Sequence, residues 1–172
     1  MSPAATPLLR IPVGVVVERS KAASQWVDYI WRPAAVLHGQ PEVEPWTPMR
    51  KQGEVTTFYA GTADIELYRS ETTYYRDNLA SGAPGLWVGL APTDAEPPYQ
   101  ILAVTADPTE GESLTEIAVN LVEQVPMPES IQQIVAAFVA EHHVEQTFFK
   151  RKRDRADPEA MARRRGYGEH DE

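Results

Sequence analysis

At Pro128 the hydrophobic pattern of this chain changes period, and that change limits the folds open to it. Upstream, apolar residues alternate in short runs, the period of β-strands. Downstream, Ile131, Ile134, Val135, Phe138, Val139 and His142 recur on one face of a helix. Pro128 stands at or just before the first turn, where its missing N–H costs nothing. The spacing predicts a helix over residues 129–145. Six or seven strands followed by one amphipathic helix leave few architectures. The expected fold is mainly β (α+β): an antiparallel sheet or half-open barrel capped by the C-terminal helix. The element order also fits a pleckstrin-homology-like arrangement. Strands and helices do not alternate and no repeat is present, which argues against a doubly wound parallel sheet.

Within the β region, Ile11 to Glu18 is apolar on both faces, with Val13, Val15 and Val17 opposite Val16. That pattern predicts a central, buried strand, and Gly14 within it suggests a bulge or a close backbone approach. In Trp26 to His38, alternation places Val27, Tyr29, Trp31, Ala35 and Leu37 on one face, and Pro33 marks an edge strand or an interruption. Gly39 to Lys51 holds Pro41, Pro45 and Pro48 and is expected to be a loop pinned by Trp46. Glu54 to Tyr59 and Ala63 to Tyr68 are expected to pair as a hairpin across Ala60-Gly61-Thr62. Leu86 to Leu90, Tyr99 to Thr105 and Leu121 to Val125 complete the strands. Glu71 to Leu79 fits neither period, and Asp107 to Glu116 is expected to be an acidic loop, with room for a helical turn. The organisation expected is a flexible lead-in over 1–10, one globular domain over 11–149, and a basic tail over 150–172, disordered until bound.

Charge divides the same way. The chain carries a net −9, but residues 1–149 sum to −11 and residues 150–172 to +2. The body should repel nucleic acid and anionic membrane, while Lys150 to Arg165 would attract an acidic surface or the face of a membrane. Nucleic acid is disfavoured as a partner because no aromatic interleaves the basic clusters. With no cysteine, disulfides, thiol chemistry and Cys-ligated metals are excluded. The longest apolar run, Ile134 to Ala140, is too short to span a bilayer, and no signal-peptide pattern opens the chain. The expected location is the cytoplasm.

Catalytic signatures are missing: there is no Walker phosphate loop, G-x-G-x-x-G, nucleophile elbow or H-E-x-x-H. His142 and His143 are adjacent, so on a helix they point about 100° apart and cannot share one metal. His142 is expected to pack or cap near the helix end, and His143 to be exposed. The acidic residues Asp107, Glu110, Glu112 and Glu116 do not match a calcium-loop spacing. Trp26, Tyr29, Trp31, Trp46, Tyr74, Tyr75 and Trp87 are expected mainly to fill the core.

Several short segments together carry a family resemblance. They are Pro12-Val13-Gly14-Val15-Val16-Val17-Glu18-Arg19, Trp26 with Trp31-Arg32-Pro33-Ala34-Ala35-Val36, Ile65-Glu66-Leu67-Tyr68, Tyr75-Arg76-Asp77-Asn78-Leu79, Val125-Pro126-Met127-Pro128 and Phe138-Val139-Ala140-Glu141-His142-His143, closed by Lys150-Arg151-Lys152-Arg153. From about Ile11 to Arg155 the chain resembles a proteobacterial domain-of-unknown-function family. The resemblance implies a setting, since such proteins are often encoded beside molybdenum-dependent formate dehydrogenase genes and their maturation factors. Some look-alikes carry labels from molybdopterin–guanine-dinucleotide biosynthesis, yet this chain lacks the glycine-rich phosphate loop a nucleotidyltransferase needs.

The expectation is therefore a non-catalytic accessory or adaptor protein, with no cofactor of its own, that docks a molybdoenzyme subunit or maturation factor. Its partner-binding residues would be Tyr75, Arg76, Asn78, His142 and His143 with Lys150, Arg151, Lys152 and Arg153. The alternative is a module that holds a molybdopterin-type cofactor or a nucleotide non-covalently, with Arg32, Arg69 and Arg76 on its phosphates.

Overall fold

Valines on both faces of one segment need cover on both faces, and β1 (Leu9–Lys21) has it. Val13, Val15 and Val17 are fully buried, and Val16 on the opposite face is 7% exposed. The computed structural model describes residues 5–144. Here β1 runs antiparallel between β2 (Tyr29–His38) and β4 (Val55–Leu67), with β3 (Thr47–Gln52) at the far edge, in the order β2-β1-β4-β3. A second antiparallel sheet has β5 (Gly85–Pro92) between β6 (Tyr99–Thr105) and β7 (Leu121–Pro126). β2 packs against β7 and β4 against β6. The seven strands thus form two facing sheets rather than one, and the barrel does not close.

The C-terminal helix α3 (Glu129–His142) buries Ile131, Val135 and Phe138, the face that the period of the sequence selects. Serine on its first turn takes a hydrogen bond to β2, His38 Nδ1 to Ser130 Oγ at 2.8 Å. Pro33 lies in β2, which is an edge strand as expected.

Several expectations are corrected. The segment read as a hairpin is one unbroken strand, β4, paired with β1 along its whole length. Val15 pairs with Gly61 and Val16 with Tyr59, so Ala60 is the extra residue of a bulge. Gly61, at φ 139°, supplies the backbone freedom of that bulge and not of a turn. Residues 47–51, the end of the expected loop, lie in edge strand β3; Pro48 is tolerated there because no ladder partner needs its N–H. Two further helices accompany α3: α1 (Thr72–Leu79), entered through a 3₁₀ turn at Arg69–Glu71, and α2 (Pro108–Leu114). The lead-in is shorter than expected, because β1 begins at Leu9.

The acidic segment becomes α2 because Asp107 caps it. Its carboxylate accepts from the Thr109 N–H at 2.9 Å and from the Thr109 hydroxyl at 2.7 Å, and Pro108 opens the first turn. Glu110 accepts from Thr105 at 2.8 Å. α2 then lies directly on the second sheet. A Cβ at Gly111 would fall 2.3 Å from the Trp87 ring, so only glycine allows this approach. On the first sheet, the Tyr59 ring also covers Gly14 closely, 2.6 Å from where a Cβ would stand. The Tyr59 hydroxyl is buried without a hydrogen-bond partner, and burial raises its pKa.

Two substitutions with opposite signs follow. Gly111→Ala forces Trp87 off its seat and should destabilise the fold by about 1–3 kcal/mol. Tyr59→Phe removes an unpartnered buried hydroxyl and should leave stability unchanged or raise it by up to about 1 kcal/mol. Urea midpoints at unchanged slope measure both.

Candidate functional site

α1 and α3 pack side by side and bring most of the expected site residues together. Their roles differ from expectation. Tyr75 is 1% exposed, sits edge-on to Phe138, and its hydroxyl accepts from the Tyr68 N–H at 2.9 Å. Burial raises the Tyr75 phenol well above its ordinary pKa, and the backbone hydrogen bond only partly opposes this. Asn78 is 4% exposed and clamps three strand-end groups. Its amide donates to the carbonyls of Gly85 (2.8 Å) and Ala106 (3.0 Å), and its oxygen accepts from the Gly85 N–H (3.1 Å). Tyr75 and Asn78 were expected on a docking surface; both belong to the interior, because α1 needs buried anchors to hold it on β5 and β6.

The two histidines diverge as their adjacency requires. His142 lies against the Phe138 ring, centroids 4.5 Å apart, with Glu141 at 3.6 Å. His143, expected to be exposed, is half-buried and joins α3 to α1. Its Nε2 is 3.0 Å from Arg76 Nη1 and its Nδ1 is 3.0 Å from Thr72 Oγ1. A guanidinium can only donate, so Nε2 accepts and the ring proton sits on Nδ1, facing the Thr72 hydroxyl. Arg76 also approaches Asp77 at 4.0 Å. This node is a helix-to-helix fastening with an exposed Arg76 rim.

The three arginines of the cofactor reading do not converge. Arg32 pairs with Glu18 at 3.3 Å, while Arg69 follows Leu67, which pairs with Leu9. Nine residues of β1 separate those levels, about 30 Å of extended chain. One bound phosphate cannot span that distance. Lys150, Arg151, Lys152 and Arg153 lie outside the described residues. Among the described residues, no group of three His, Asp or Glu side chains could hold a metal ion, and no helix is long and apolar enough to cross a membrane.

A second region was not singled out by the sequence. Trp31, Trp46, Phe58 and Tyr99 close the core at one end of the sheets. Beyond them, Arg19 lies over the rings of Tyr29 (4.2 Å), Phe58 (5.1 Å) and Trp31 (5.6 Å). Register gives Arg19 and Lys51 the same partner, Thr56, from its two sides, so both flank β4. Together with Arg50, Pro48 and Met49 they line a groove of about 500 Å³ that holds no carboxylate. Leading into β2 at this end, Trp26 (85%), Val27 and Ile30 are exposed, and so is Met49 on β3. Two other grooves among the described residues have the opposite charge: one is lined by Asp64, Glu66 and Glu110, the other by Glu71, Asp107 and Glu110, and the lining of neither includes a cation. A sequence signal existed in the basic pairs Arg19/Lys21 and Arg50/Lys51 of an otherwise acidic body. It could not be used while residues 47–51 were read as loop.

The geometry defines a two-sheet antiparallel α+β domain with a cationic, aromatic open end. A family model described as protein of unknown function (DUF3305) matches residues 12–153, and the chain belongs to that family. No curated protein and no solved structure is matched by the chain.

Asn78→Ala leaves buried backbone groups of Gly85 and Ala106 unpaired and should cost roughly 1–3 kcal/mol, whereas Arg76→Ala should cost no more than about 1 kcal/mol, again read from urea midpoints. Tyr68 gives a pH test. Its hydroxyl donates to Glu66, and that bond first, with burial and the nearby carboxylates, pushes its pKa up to about 12. Because the folded pKa is raised, this stabilisation is complete below the ordinary tyrosine value of about 10. It should be lost as pH climbs through about 12. Ultraviolet titration should show late-ionising tyrosines, Tyr68 with the buried Tyr59 and Tyr75, and Tyr68→Phe should lower that late amplitude by one tyrosine.

Proposed function

We propose that this domain is a non-catalytic docking module, an accessory protein for assembly or maturation of a molybdenum-dependent formate dehydrogenase in the cytoplasm. The observation that carries the docking part is the open end, where Trp26, Val27 and Ile30 stay exposed at the start of β2 and Met49 lines the groove of Arg19, Arg50 and Lys51. Aromatic and arginine side chains of this kind anchor protein interfaces. The formate dehydrogenase setting rests on the resemblance of the sequence segments above. Arg76 and His143 supply a second polar contact region on α1 and α3, and Lys150 to Arg153 fasten the module to an acidic surface or to a membrane face. The pleckstrin-homology-like comparison rests on element order, seven strands before a C-terminal helix.

An affinity pull-down from the native host tests this reading. Full-length protein should recover a formate dehydrogenase subunit or maturation factor, and Trp26→Ser combined with Ile30→Ser should reduce that recovery by about tenfold or more. A chain ending at Phe149 reports the share of the tail. If neither partner is recovered, or the double variant recovers it equally, the docking reading fails. A rise in melting temperature with a pterin or nucleotide would instead favour a cofactor holder.

A further inference from the structure

We infer that the groove at the open end receives an acidic, extended polypeptide segment of the partner, which lies across the sheet face with its carboxylates on Arg19, Arg50 and Lys51. This deepens the docking function proposed above and rests on it. Charge is the first argument. The groove is lined by three cations and no carboxylate in a chain of net charge −9, while two other grooves among the described residues are lined by carboxylates and no cation. That contrast draws an anionic segment to this groove rather than to those two. None of Arg19, Arg50 and Lys51 forms an ion pair with a carboxylate among the described residues.

The second argument is geometry. Stacking on Tyr29, Phe58 and Trp31 holds the Arg19 guanidinium in place and leaves its N–H edge able to grip a carboxylate. Arg19 and Lys51 lie on strands either side of β4, so their backbones are about 10 Å apart. Carboxylates two residues apart on an extended chain stand about 7 Å from each other, which long basic side chains can match. Phosphate alone is too small to meet both at good geometry, and the groove offers no glycine-rich N–H cradle. Between the cations, Phe58, Pro48 and Met49 form an apolar floor for the intervening side chains. The segment crosses the face and does not extend the sheet, because Pro48 has no N–H and the bulge at Met49 breaks the edge.

The test uses the full chain and a fluorescent peptide of about ten residues that alternates Glu with Val, against the same peptide with Gln for Glu. Anisotropy should show the Glu peptide binding at least about tenfold more tightly than the Gln peptide. Arg50→Ser with Lys51→Ser, both at exposed positions, should remove about tenfold or more of that affinity, and added salt should weaken it steeply. Equal binding of the two peptides, no binding, or equal displacement by inorganic phosphate or a nucleotide overturns the inference. So does concentration-dependent self-association that Arg50→Ser with Lys51→Ser abolishes, because the occupant would then be a second copy. The same double variant in the host pull-down separates the two proposals. If it still captures the dehydrogenase subunit or maturation factor while Trp26→Ser with Ile30→Ser does not, docking stands and the acidic segment falls.

Discussion

The antiparallel pairing of β1 with β4 is the constraint on which the other elements depend. Twelve register pairs run from Leu9–Leu67 to Ser20–Val55, and one bulge at Ala60 interrupts them. β2 bulges at the same level, where Val16 pairs with Ala35 and Val17 with Pro33. Two bulges flanking one valine bend the sheet along a single line, since each adds local twist. The bend lets one face take the second sheet. It also gives the long pair two distinct ends: Leu67 leads into the 3₁₀ turn and α1, while Arg19 to Lys21 project beyond the aromatic plug.

Those ends do different physical work. At the helical end, polar side chains are consumed by the structure itself. Asn78 holds β5 and β6 to α1, Tyr75 receives the Tyr68 N–H, Asp107 caps α2, and His143 ties α3 to α1. At the open end Glu18 pairs with Arg32, but Arg19, Arg50 and Lys51 form no ion pair with a carboxylate among the described residues. Arg19 lies over aromatic faces, and Arg50 and Lys51 stand on an edge strand. Basic residues on an edge strand also discourage unwanted strand pairing, and here they do so together with Pro48 and the Met49 bulge. The same residues can therefore protect the edge and present a charged face, because the two roles use different directions of one strand.

The candidate site was less legible in the sequence than the fold. Tyr75, Asn78 and His143 stood out as polar residues at motif positions, but a motif position does not tell a buried hydrogen-bond clamp from a contact surface. Asn78 became a clamp only because β5 and β6 bring Gly85 and Ala106 within 3.0 Å of its amide. Arg32, Arg69 and Arg76 resembled a phosphate set in one dimension, and the length of β1 drew them apart. Conversely, Arg19 and Lys51 are 32 positions apart in the chain and meet only because both pair with Thr56. No local pattern encodes that meeting.

What the sequence determined by itself was what depends on neighbours along the chain. The two-sided valines of β1, the edge position signalled by Pro33, and the buried face of α3 all follow from local period and backbone chemistry. Only the tertiary structure decided the rest. Ala60-Gly61-Thr62 is a bulge rather than a turn because β1 pairs with the whole of Val55–Leu67, and a positive-φ glycine serves either arrangement equally well. Residues 47–52 are a strand because the free edge of β4 needed a partner there. Arg19, Arg50 and Lys51 line one groove because pairing along β4 carries side chains distant in the chain to the same place. Local period sets which face of an element is apolar; only long-range pairing sets what that face, and the polar one behind it, will meet.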